Sequence, residues 1–502
     1  MNPIAIPWDS QAAWPLLAVL QLLPLLGALV VLALRRGSLA TLAGVILASF
    51  ELLLAILLYR GYDPTNAAMQ FAEHLSLPGL LDYHAAVDGV GILFILLTAL
   101  IILLVSLYGP VRGLGPPWRL MALILAIESS LMLMFTTLNL LWFVLAAAIQ
   151  TGLIGLLLKL WATSPRIEQA IKTYIKFMGT GLVLLLAGTL ILGWGHTHVS
   201  GGGWTFDLLE LHRAGVGREF QTLVFFLLFY GLAIRTPLFP MHGWLPQVAE
   251  HGNIAVAPTL LLGLKIGIYG LLRFVLPLVP EAVQDWQPFV VAFAVVGIFY
   301  AALLAMVQEN LRRLLAFAVV SHTSLIVLGL FTLDHLAFQG SVMLAVTFGL
   351  AVAALLFMTG LVYRRTRTTQ LTELGGLFDQ IPFVGIAFLV GGLSIIGMPG
   401  TPGFDAAHLV LEAAIARFGG LLTIAAALGN LLAAGFLLWA FQRAFLGPCP
   451  EAQAPVERLG LAEWLVSGAV IAVLLGVGFY SHPWLELIDV PLATLSAHYA
   501  KP

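Results

Sequence analysis

The sequence predicts an all-α integral membrane protein with about fourteen transmembrane helices. Of its 502 residues, 60% are apolar and only 10% are charged, whereas a soluble domain needs about 25% charged residues to cover its surface. The mean hydropathy is +1.01. The apolar residues fall in runs of about 18 to 25, the length that a helix needs to cross a hydrocarbon core. Only helices and closed barrels satisfy their backbone there, and these runs are too long for barrel strands.

Short polar or Pro- and Gly-rich connections separate the predicted spans. The spans cover residues 14–34, 39–58, 89–108, 119–137, 139–160, 173–194, 219–240, 254–278, 288–307, 311–333, 340–363, 382–415, 418–442 and 461–481. The run at 382–415 is too long for one crossing, and the sequence GMPGTPG at 397–403 interrupts it. We therefore interpret it as one broken helix, which is tolerated at membrane depth only beside protein or a polar cavity.

Basic residues are distributed unequally between the two sets of connections, which predicts the orientation. With the N-terminus outside, the cytoplasmic connections receive Arg35, Arg36, Arg112, Arg119, Lys159, Arg166, Lys172, Arg312, Arg313, Arg364, Arg365, Arg367, Arg443 and Arg458. The opposite connections receive only Arg60, Arg213, Arg218, Arg273, Arg417 and Lys501. This positive-inside bias places both termini outside, in a membrane of the bacterial inner (cytoplasmic) type. The residues after Met1 include neither a basic n-region nor an A-x-A site, so we do not expect a cleaved signal peptide.

The sequence lacks the cysteine residues and nucleotide-binding motifs that commonly hold a redox cofactor. Cys449 is the single cysteine, which excludes an internal disulfide, an iron–sulfur cluster and a cysteine-based metal site. The sequence contains no GxGxxG, no GxxxxGK[ST] and no paired Cys/His spacing. The net charge of −2 and the absence of a basic tract argue against nucleic acid as a partner. We expect no catalytic residue, cofactor or metal in this chain, so any redox group would belong to a partner.

Ionisable residues within the predicted spans are the candidate functional residues. Each costs about 2.5 to 3.5 kcal/mol on the insertion scale, so each one is a functional hypothesis. The alternative is that they pair with each other or with backbone carbonyls and only hold helices together. The candidates for a proton path are Glu128, Lys176, Arg235, Lys265, His322, Asp405, His408 and Glu412.

Local sequence suggests a role for several of these candidates. Arg235 precedes Thr236-Pro237, where proline frees carbonyl groups and a cation at the end of the half-helix is stabilised. Lys265 lies among apolar residues and glycines, and a lysine removed from water gives up its proton more readily.

Asp405, His408 and Glu412 are spaced i, i+3, i+7 after the break, so they share one helix face. That face suggests a proton path directed toward Lys265 or His322. The alternatives are a metal site, or a structural arrangement in which Asp405 caps the helix after the break and Glu412 and Arg417 lie near the outer surface.

Four segments resemble the antiporter-like membrane subunits of respiratory complex I, the proton-pumping NADH:quinone oxidoreductase. The most specific is RTPLFPMHGWLPQVAEHGNIAVAPTLLLGLKIGIYGLLRF at 235–274, which looks like the chain M type. The others are LDYHAAVDGVGILFILLTALI at 81–101, QENLRRLLAFAVVSHTSLIVLGLFT at 308–332 and GMPGTPGF at 397–404. The resemblance extends over nearly the whole chain.

The resemblance implies fourteen helices built on two inverted five-helix repeats, with the seventh and twelfth helices broken. Residues 1–118 would hold helices 1–3, 119–278 the first repeat, 279–415 the second repeat continuing to 442, and 443–502 the last loop and helix. It also implies a subunit without a redox centre that moves protons beside other membrane-arm subunits in the lipid bilayer.

The family's relay positions are only partly kept. Lys176 and Lys265 retain the lysines expected in the sixth and eighth helices. Four other positions carry residues that cannot cycle a proton. Alanine and phenylalanine have no ionisable group, and arginine stays charged at any working pH. The four positions are Ala148 for a glutamate, Arg235 for a lysine, Phe348 for a histidine and Ala407 for a charged residue.

Two functional interpretations follow from these departures. In the first, protons cross by a rerouted path through the retained ionisable residues. In the second, the path is altered or lost and the chain anchors another energised complex, such as an inorganic-carbon uptake complex or a membrane hydrogenase. A third possibility of a different class is a stand-alone cation/proton antiporter, which the chain M character of 235–274 disfavours.

Overall fold

The computed structural model describes residues 4–35, 37–76, 82–200, 202–450 and 456–500. Arg36 and Lys501, which contribute to the predicted orientation, and Leu81, the first residue of the segment 81–101, lie outside the described residues. The described part is predominantly helical, which confirms the predicted fold class. Twelve of its helices are long and apolar enough to cross a membrane, and the chain is an integral membrane protein.

The helices follow one another in an order close to the predicted one. They are α1 Leu16–Leu34, α2 Gly37–Gly61, α3 Gly89–Val111, α4 Pro117–Thr136, α5 Leu140–Leu160, α6 Ile167–Ser200, α7 Leu208–Ala214, α8 Arg218–Arg235, α9 Trp244–His251, α10 Ala257–Gly270, α11 Leu276–Leu278, α12 Pro280–Met306, α13 Leu311–Leu330, α14 His335–Thr366, α15 Leu377–Gln380, α16 Pro382–Ile396, α17 Pro402–Phe418, α18 Gly420–Phe441, α19 Leu461–Phe479 and α20 His482–Ala497. The π-helical turn Leu271–Val275 makes α10 and α11 one continuous span, Ala257–Leu278.

The two predicted spans missing from the twelve long helices, 219–240 and 382–415, are those that the structure interrupts. In the first, α8 ends at Arg235 and the next helix, α9, begins only at Trp244, whereas the second is divided between α16 and α17. The total of about fourteen crossings and the symmetry between the two halves remain predictions.

A small sheet, which the sequence analysis did not predict, connects the N-terminal segment to the loop between α2 and α3. It consists of β1 Ala5–Pro7, β2 Met69–Leu75 and β3 Tyr83–Val87. Strand β2 pairs in parallel with β1 and antiparallel with β3. The Glu73 carboxylate of β2 accepts hydrogen bonds from the backbone N–H groups of Leu17 and Ala18, at 2.7 and 2.9 Å. It thereby satisfies free N–H groups at the start of α1.

The most deeply buried helices are α10, α13 and α14, which form the centre of the bundle. Helix α14 packs against α10, α13, α16 and α17. Helices α2, α6, α18 and α19 lie at the periphery, and most of their residues are only partly buried or exposed. The candidate residues Lys265 and His322 are on central helices, so the fold removes both from bulk water.

Candidate functional site

The first break follows Arg235 because Pro237 cannot donate a hydrogen bond to continue α8. The backbone N–H of Leu238 donates instead to the carbonyl of Ala233 at 3.0 Å. The carbonyl of Ile234 accepts from the indole N–H of Trp244 at 3.0 Å. The interruption predicted from the sequence is therefore present, and its freed backbone groups are satisfied within the protein.

Arg235 ends α8 and is 3% exposed. Its guanidinium donates to Gln150 Oε1 at 2.9 Å, to Thr151 Oγ1 at 2.7 Å and to the carbonyl of Ala147. All three acceptors are neutral and belong to α5. The guanidinium thus adds a fixed positive charge at the break, held by dipoles rather than by a carboxylate.

The sequence analysis assigned the expected glutamate position of α5 to Ala148, which the structure places on the exposed side of that helix. The residues that face Arg235 are Gln150 and Thr151, which the sequence analysis missed. A polar pair in an otherwise apolar span was the available signal. Gln150 and Arg235 also line a cavity of about 10 Å³ that reaches Gly263 and Leu264 of α10, about the size of one water molecule.

Lys265 lies in the middle of α10 and is 3% exposed. Its ammonium group lies 5.0 Å from the ring centre of Phe348, and its aliphatic chain crosses Gly349, where an added Cβ would be 3.3 Å from Cε. Among the described residues, no carboxylate forms an ion pair with Lys265. A buried cation without an anion is stabilised only by the aromatic face and by whatever water reaches it.

His322 belongs to α13 and is buried beside the same aromatic ring. Its imidazole stacks on Phe348 with a centroid distance of 4.7 Å and an interplanar angle of 11°. Nδ1 lies 3.1 Å from the carbonyl of Ala318, and Nε2 lies 3.1 Å from the carbonyl of Ile395. A neutral imidazole can donate to only one of these acceptors, whereas the imidazolium can donate to both.

Ile395 places His322 against the second break. Helix α16 ends at Gly397, which has a φ of 77°, a conformation that glycine adopts without strain. The N–H of Met398 donates to the carbonyl of Leu393 at 3.0 Å, and α17 begins at Pro402. Ala407, at the position expected to carry a charge, is buried on α17. The second predicted break is therefore present, and a buried imidazole is in contact with it.

Glu128 of α4 is buried but lies outside this cluster. It is 0% exposed, and neither of its carboxylate oxygens has a hydrogen-bond partner. The charged group that acts on it is Glu51 of α2, which is 1% exposed and equally without partners. The sequence analysis did not select Glu51, although this residue lies within the predicted span 39–58.

The structure does not bring the remaining candidates to Lys265. Lys176 lies on the exposed face of α6. The side chains of His408 and Glu412 are 68% and 56% exposed, with 3.7 Å between His408 Nε2 and Glu412 Oε2. The proton-path hypothesis required these two side chains to point into the bundle, and they do not.

Asp405 does not take the predicted capping role either. It is half-buried and accepts a 2.5 Å hydrogen bond from Ser481 Oγ, next to α20. Thr401 is the residue at the N-cap position of α17. Arg417, in the last turn of α17, is exposed and approaches Gln287 Oε1 at 3.5 Å. Glu412 and Arg417 are both exposed, and their location near the outer surface of the membrane stays a prediction.

Arg273 was assigned by sequence to an outer connection, and this assignment is wrong. It lies in the π-helical turn after α10, is 2% exposed, and binds both oxygens of Asp88 at 2.6 and 2.8 Å. Asp88 also accepts the N–H of Gly91 at 2.9 Å as the N-cap of α3. The charges compensate each other within the fold, which is why Arg273 tolerates burial.

Comparison with known proteins agrees with this architecture. The profile of the family "NADH:quinone oxidoreductase/Mrp antiporter, TM" matches residues 137–433. NADH-quinone oxidoreductase subunit M of Rhodobacter capsulatus is 28% identical, with 96% of this chain and 97% of the relative covered. NAD(P)H-quinone oxidoreductase chain 4 of Prochlorococcus marinus (strain NATL1A) is 31% identical, with 95% and 90% covered.

Solved structures agree as well. A chain of the respiratory complex I from Thermus thermophilus with bound NADH superposes with a TM-score of 0.85 and 26% identity, covering 97% of this chain and 100% of that one. The residues matched by the family profile include both helix breaks of this chain, at 235–237 and 397–403. The chain therefore belongs to the NADH:quinone oxidoreductase/Mrp antiporter transmembrane family.

Proposed function

We propose that this chain translocates protons as the antiporter-like, non-redox subunit of a multi-subunit membrane complex of the NADH:quinone oxidoreductase type. The observation that carries the proposal is the Lys265–Phe348–His322 cluster, in which a buried lysine without a carboxylate lies beside a histidine at the second break. Lys265 and His322 can change protonation state, whereas the guanidinium of Arg235 cannot.

Electrostatics couples the two groups. The charges of Lys265 and His322 act on each other within the same buried region, so protonation of one disfavours protonation of the other. A proton bound at Lys265 therefore favours a neutral His322, and loss of that proton favours the imidazolium. Because the imidazolium can donate to both Ala318 and Ile395, its formation would tighten the contact between α13 and the end of α16.

Arg235 contributes a constant charge to this arrangement. It is fixed by neutral acceptors on α5, and its cavity reaches the α10 turn that carries Lys265. A permanent positive charge there would disfavour the protonated form of Lys265 and so assist proton release. The relay would then use the charge of Arg235 without moving a proton through it.

The alternative function is that of a membrane anchor with an altered or lost proton path. It is favoured by the uncharged residues Phe348 and Ala407, which are both buried. The main proposal explains the cluster better, because a buried lysine without a function would destabilise the membrane-inserted fold with nothing to offset it.

The decisive experiment purifies the complex through a tag on this chain and identifies its partners by mass spectrometry. The same preparation is then reconstituted into vesicles, and proton movement is measured while the partner subunits turn over. We expect redox-active partners and proton movement that a protonophore abolishes. If a complex in which only Lys265 is substituted turns over without moving protons, proton translocation is assigned to this chain. If proton movement is unchanged, the membrane-anchor function is favoured.

The proposed topology places both termini outside a bacterial-type inner membrane. Cys449 provides its test, because it is exposed and lies in the connection between α18 and α19, which the basic residues Arg443 and Arg458 predict to be cytoplasmic. A membrane-impermeant maleimide should label Cys449 in inside-out vesicles and leave it unlabelled in right-side-out ones. Cys449→Ser is the control, and the reverse labelling pattern would invert the topology.

A further inference from the structure

Glu51 and Glu128 are the buried carboxyl groups of the described residues for which no protein partner is found. Glu51 is 1% exposed on α2 and Glu128 is 0% exposed on α4, and all four of their oxygens lack a hydrogen-bond partner. The charge on Glu51 acts on Glu128. Other buried carboxylates differ, since Glu463 is bound by Arg364 and Arg365, and Asp88 by Arg273.

Helix register brings the two glutamates to the same level. Helices α2 and α4 are in contact, and an added Cβ on Gly44 would lie 2.9 Å from Met121 Sδ. Glu51 and Glu128 each follow these contact residues by seven positions. Because α2 and α4 are both even-numbered spans joined through the single span α3, they run parallel, and a seven-residue step keeps the same interface. Both glutamates lie near the middle of their helices.

Helix α1 covers the pair from a third side. Gly27 of α1 lies close to both helices, because a Cβ added to it would be 2.8 Å from Leu47 of α2 and 3.4 Å from Leu125 of α4. Since α1 runs antiparallel to both, the level of the glutamates corresponds to the region around Pro24, which is buried within α1. Pro24 lacks the N–H that would bond the carbonyl of Leu20, so this level also offers a backbone acceptor.

The cations of α2 and α4 themselves, Arg60 and Arg119, are exposed, and each lies nine residues along the sequence from the glutamate of its helix. Helices α1 and α3 contain no Asp, Glu, Lys, Arg or His, and Tyr108 is the one titratable side chain of α3. Helix α5 carries Lys159 in its last turn, α10 carries Lys265 and Tyr269, and β3 carries Tyr83 and His84. None of these side chains donates a hydrogen bond to Glu51 or Glu128. Two ionised carboxylates in this environment would be both desolvated and mutually repelled.

We infer that Glu51 and Glu128 form a proton-binding acid pair between α2 and α4, which holds protons at neutral pH and titrates as one unit. A protonated carboxyl can donate to the other carboxyl or to a backbone carbonyl, which supplies the hydrogen bonds that the ionised forms lack. The site is separate from the Lys265–His322 cluster. Because α4 also packs against α10, protonation of the pair can influence the helix that carries Lys265.

Infrared spectroscopy of the purified full-length chain tests the inference without relying on transport. Protonated carboxylic acids give a C=O band distinct from that of carboxylates, and this band shifts in D2O. We expect such a band at neutral pH in the unaltered protein, reduced in Glu51→Gln and in Glu128→Gln, and lost in the double variant. Glu412→Gln, at a carboxylate with a largely exposed side chain, is the matched control and should leave the band unchanged.

Other outcomes would overturn the proposal. An acid band that survives the double substitution belongs to other residues, and the absence of a band at neutral pH means that the pair is ionised. Disappearance of the band when sodium replaces choline would assign the site to a metal cation instead. Glutamine is isosteric with protonated glutamic acid, so the variants should fold; if the double variant does not, the two single variants decide. None of these results depends on whether the chain pumps protons.

Discussion

Lys265 and Arg273 are buried cations on the same continuous span, two turns apart, yet their surroundings differ. Arg273 binds both oxygens of Asp88 and also the hydroxyl of Tyr269 at 3.1 Å. Lys265 faces the ring of Phe348 at 5.0 Å and forms no ion pair among the described residues. Eight residues of helix separate them by about 12 Å.

This difference separates a charge that stabilises the fold from a charge that can change. A paired guanidinium retains its proton and fixes the position of α3 against the π-helical turn. An unpaired ammonium can lose its proton without leaving a buried anion behind, which lowers the free-energy cost of its deprotonation in a dry interior. The predictions below test this distinction, beginning with the largest expected effect.

Lys265→Ala should reduce coupled proton movement in reconstituted vesicles to the protein-free level while the complex still assembles. Lys265→Arg should be nearly as damaging, because arginine keeps its charge and does not cycle. The matched control is Lys176→Ala, at an exposed lysine of α6, which should retain transport. Normal pumping by either Lys265 variant would remove this residue from the mechanism. Lys265 would then be, like Arg273, a buried charge with a structural role.

Asp88→Asn should damage the fold rather than the proton path. Removing one partner of a buried ion pair costs about 3 to 5 kcal/mol, which denaturant unfolding in detergent would measure. The double variant Asp88→Asn, Arg273→Met should recover much of that loss, because no unpaired charge remains. A stable Asp88→Asn variant that fails only in transport would contradict the structural role.

The pH dependence of this pair has a defined sign. Burial raises the pKa of Asp88, but the charge and hydrogen bonds of Arg273 outweigh it, so the net effect is a pKa below the usual range. The stabilisation should therefore be fully present above the unfolded pKa of about 3.9 and be lost as the pH falls through the lower, folded value. Unfolding measured from about pH 8 to about pH 5 should therefore show a constant contribution from Asp88, which declines only at lower pH.

Phe348→His should change transport by a smaller amount and in the opposite direction. The phenyl ring is close to both the Lys265 ammonium and the His322 imidazole and cannot carry a proton. An imidazole at this position would supply the missing relay group, so we expect the rate of proton movement to rise about severalfold. Phe348→Leu, which adds no ionisable group, is the control. Equal rates in both variants would mean that protons pass between Lys265 and His322 by water alone.

Sequence predicted the framework of this molecule better than its contacts. The breaks at Thr236-Pro237 and at 397–403 followed from Pro and Gly, whose backbone restrictions are local. Burial of Lys265 and His322 followed from their apolar neighbours. In contrast, the partners of Arg235 on α5 and of Arg273 at Asp88 lie 85 and 185 residues away in sequence, and no local pattern reveals such pairings.

Helical spacing also has a limit that Asp405, His408 and Glu412 illustrate. The i, i+3, i+7 pattern correctly indicates neighbouring positions on one side of α17, and His408 and Glu412 do approach each other. It does not indicate whether that side faces the bundle or its surroundings, because apolar residues cover both surfaces of a membrane helix. The same ambiguity concealed Glu51, which lies on the buried side of an otherwise peripheral helix.

The smallest effect is expected for His408→Phe, which should leave both proton flux and assembly unchanged. The His408 side chain is 68% exposed, and its 3.7 Å contact with Glu412 is an exposed i, i+4 pair, worth about 0.3 to 0.5 kcal/mol at most. The measurement is proton movement in vesicles beside His322→Phe, which removes the buried imidazole at the second break and should abolish coupling. Unchanged flux in His408→Phe would leave the Asp405–His408–Glu412 path without support. Lost flux in an assembled complex would instead mean that a partner subunit covers this face and that protons cross there, so the distinction between Lys265 and Arg273 would not describe the whole path.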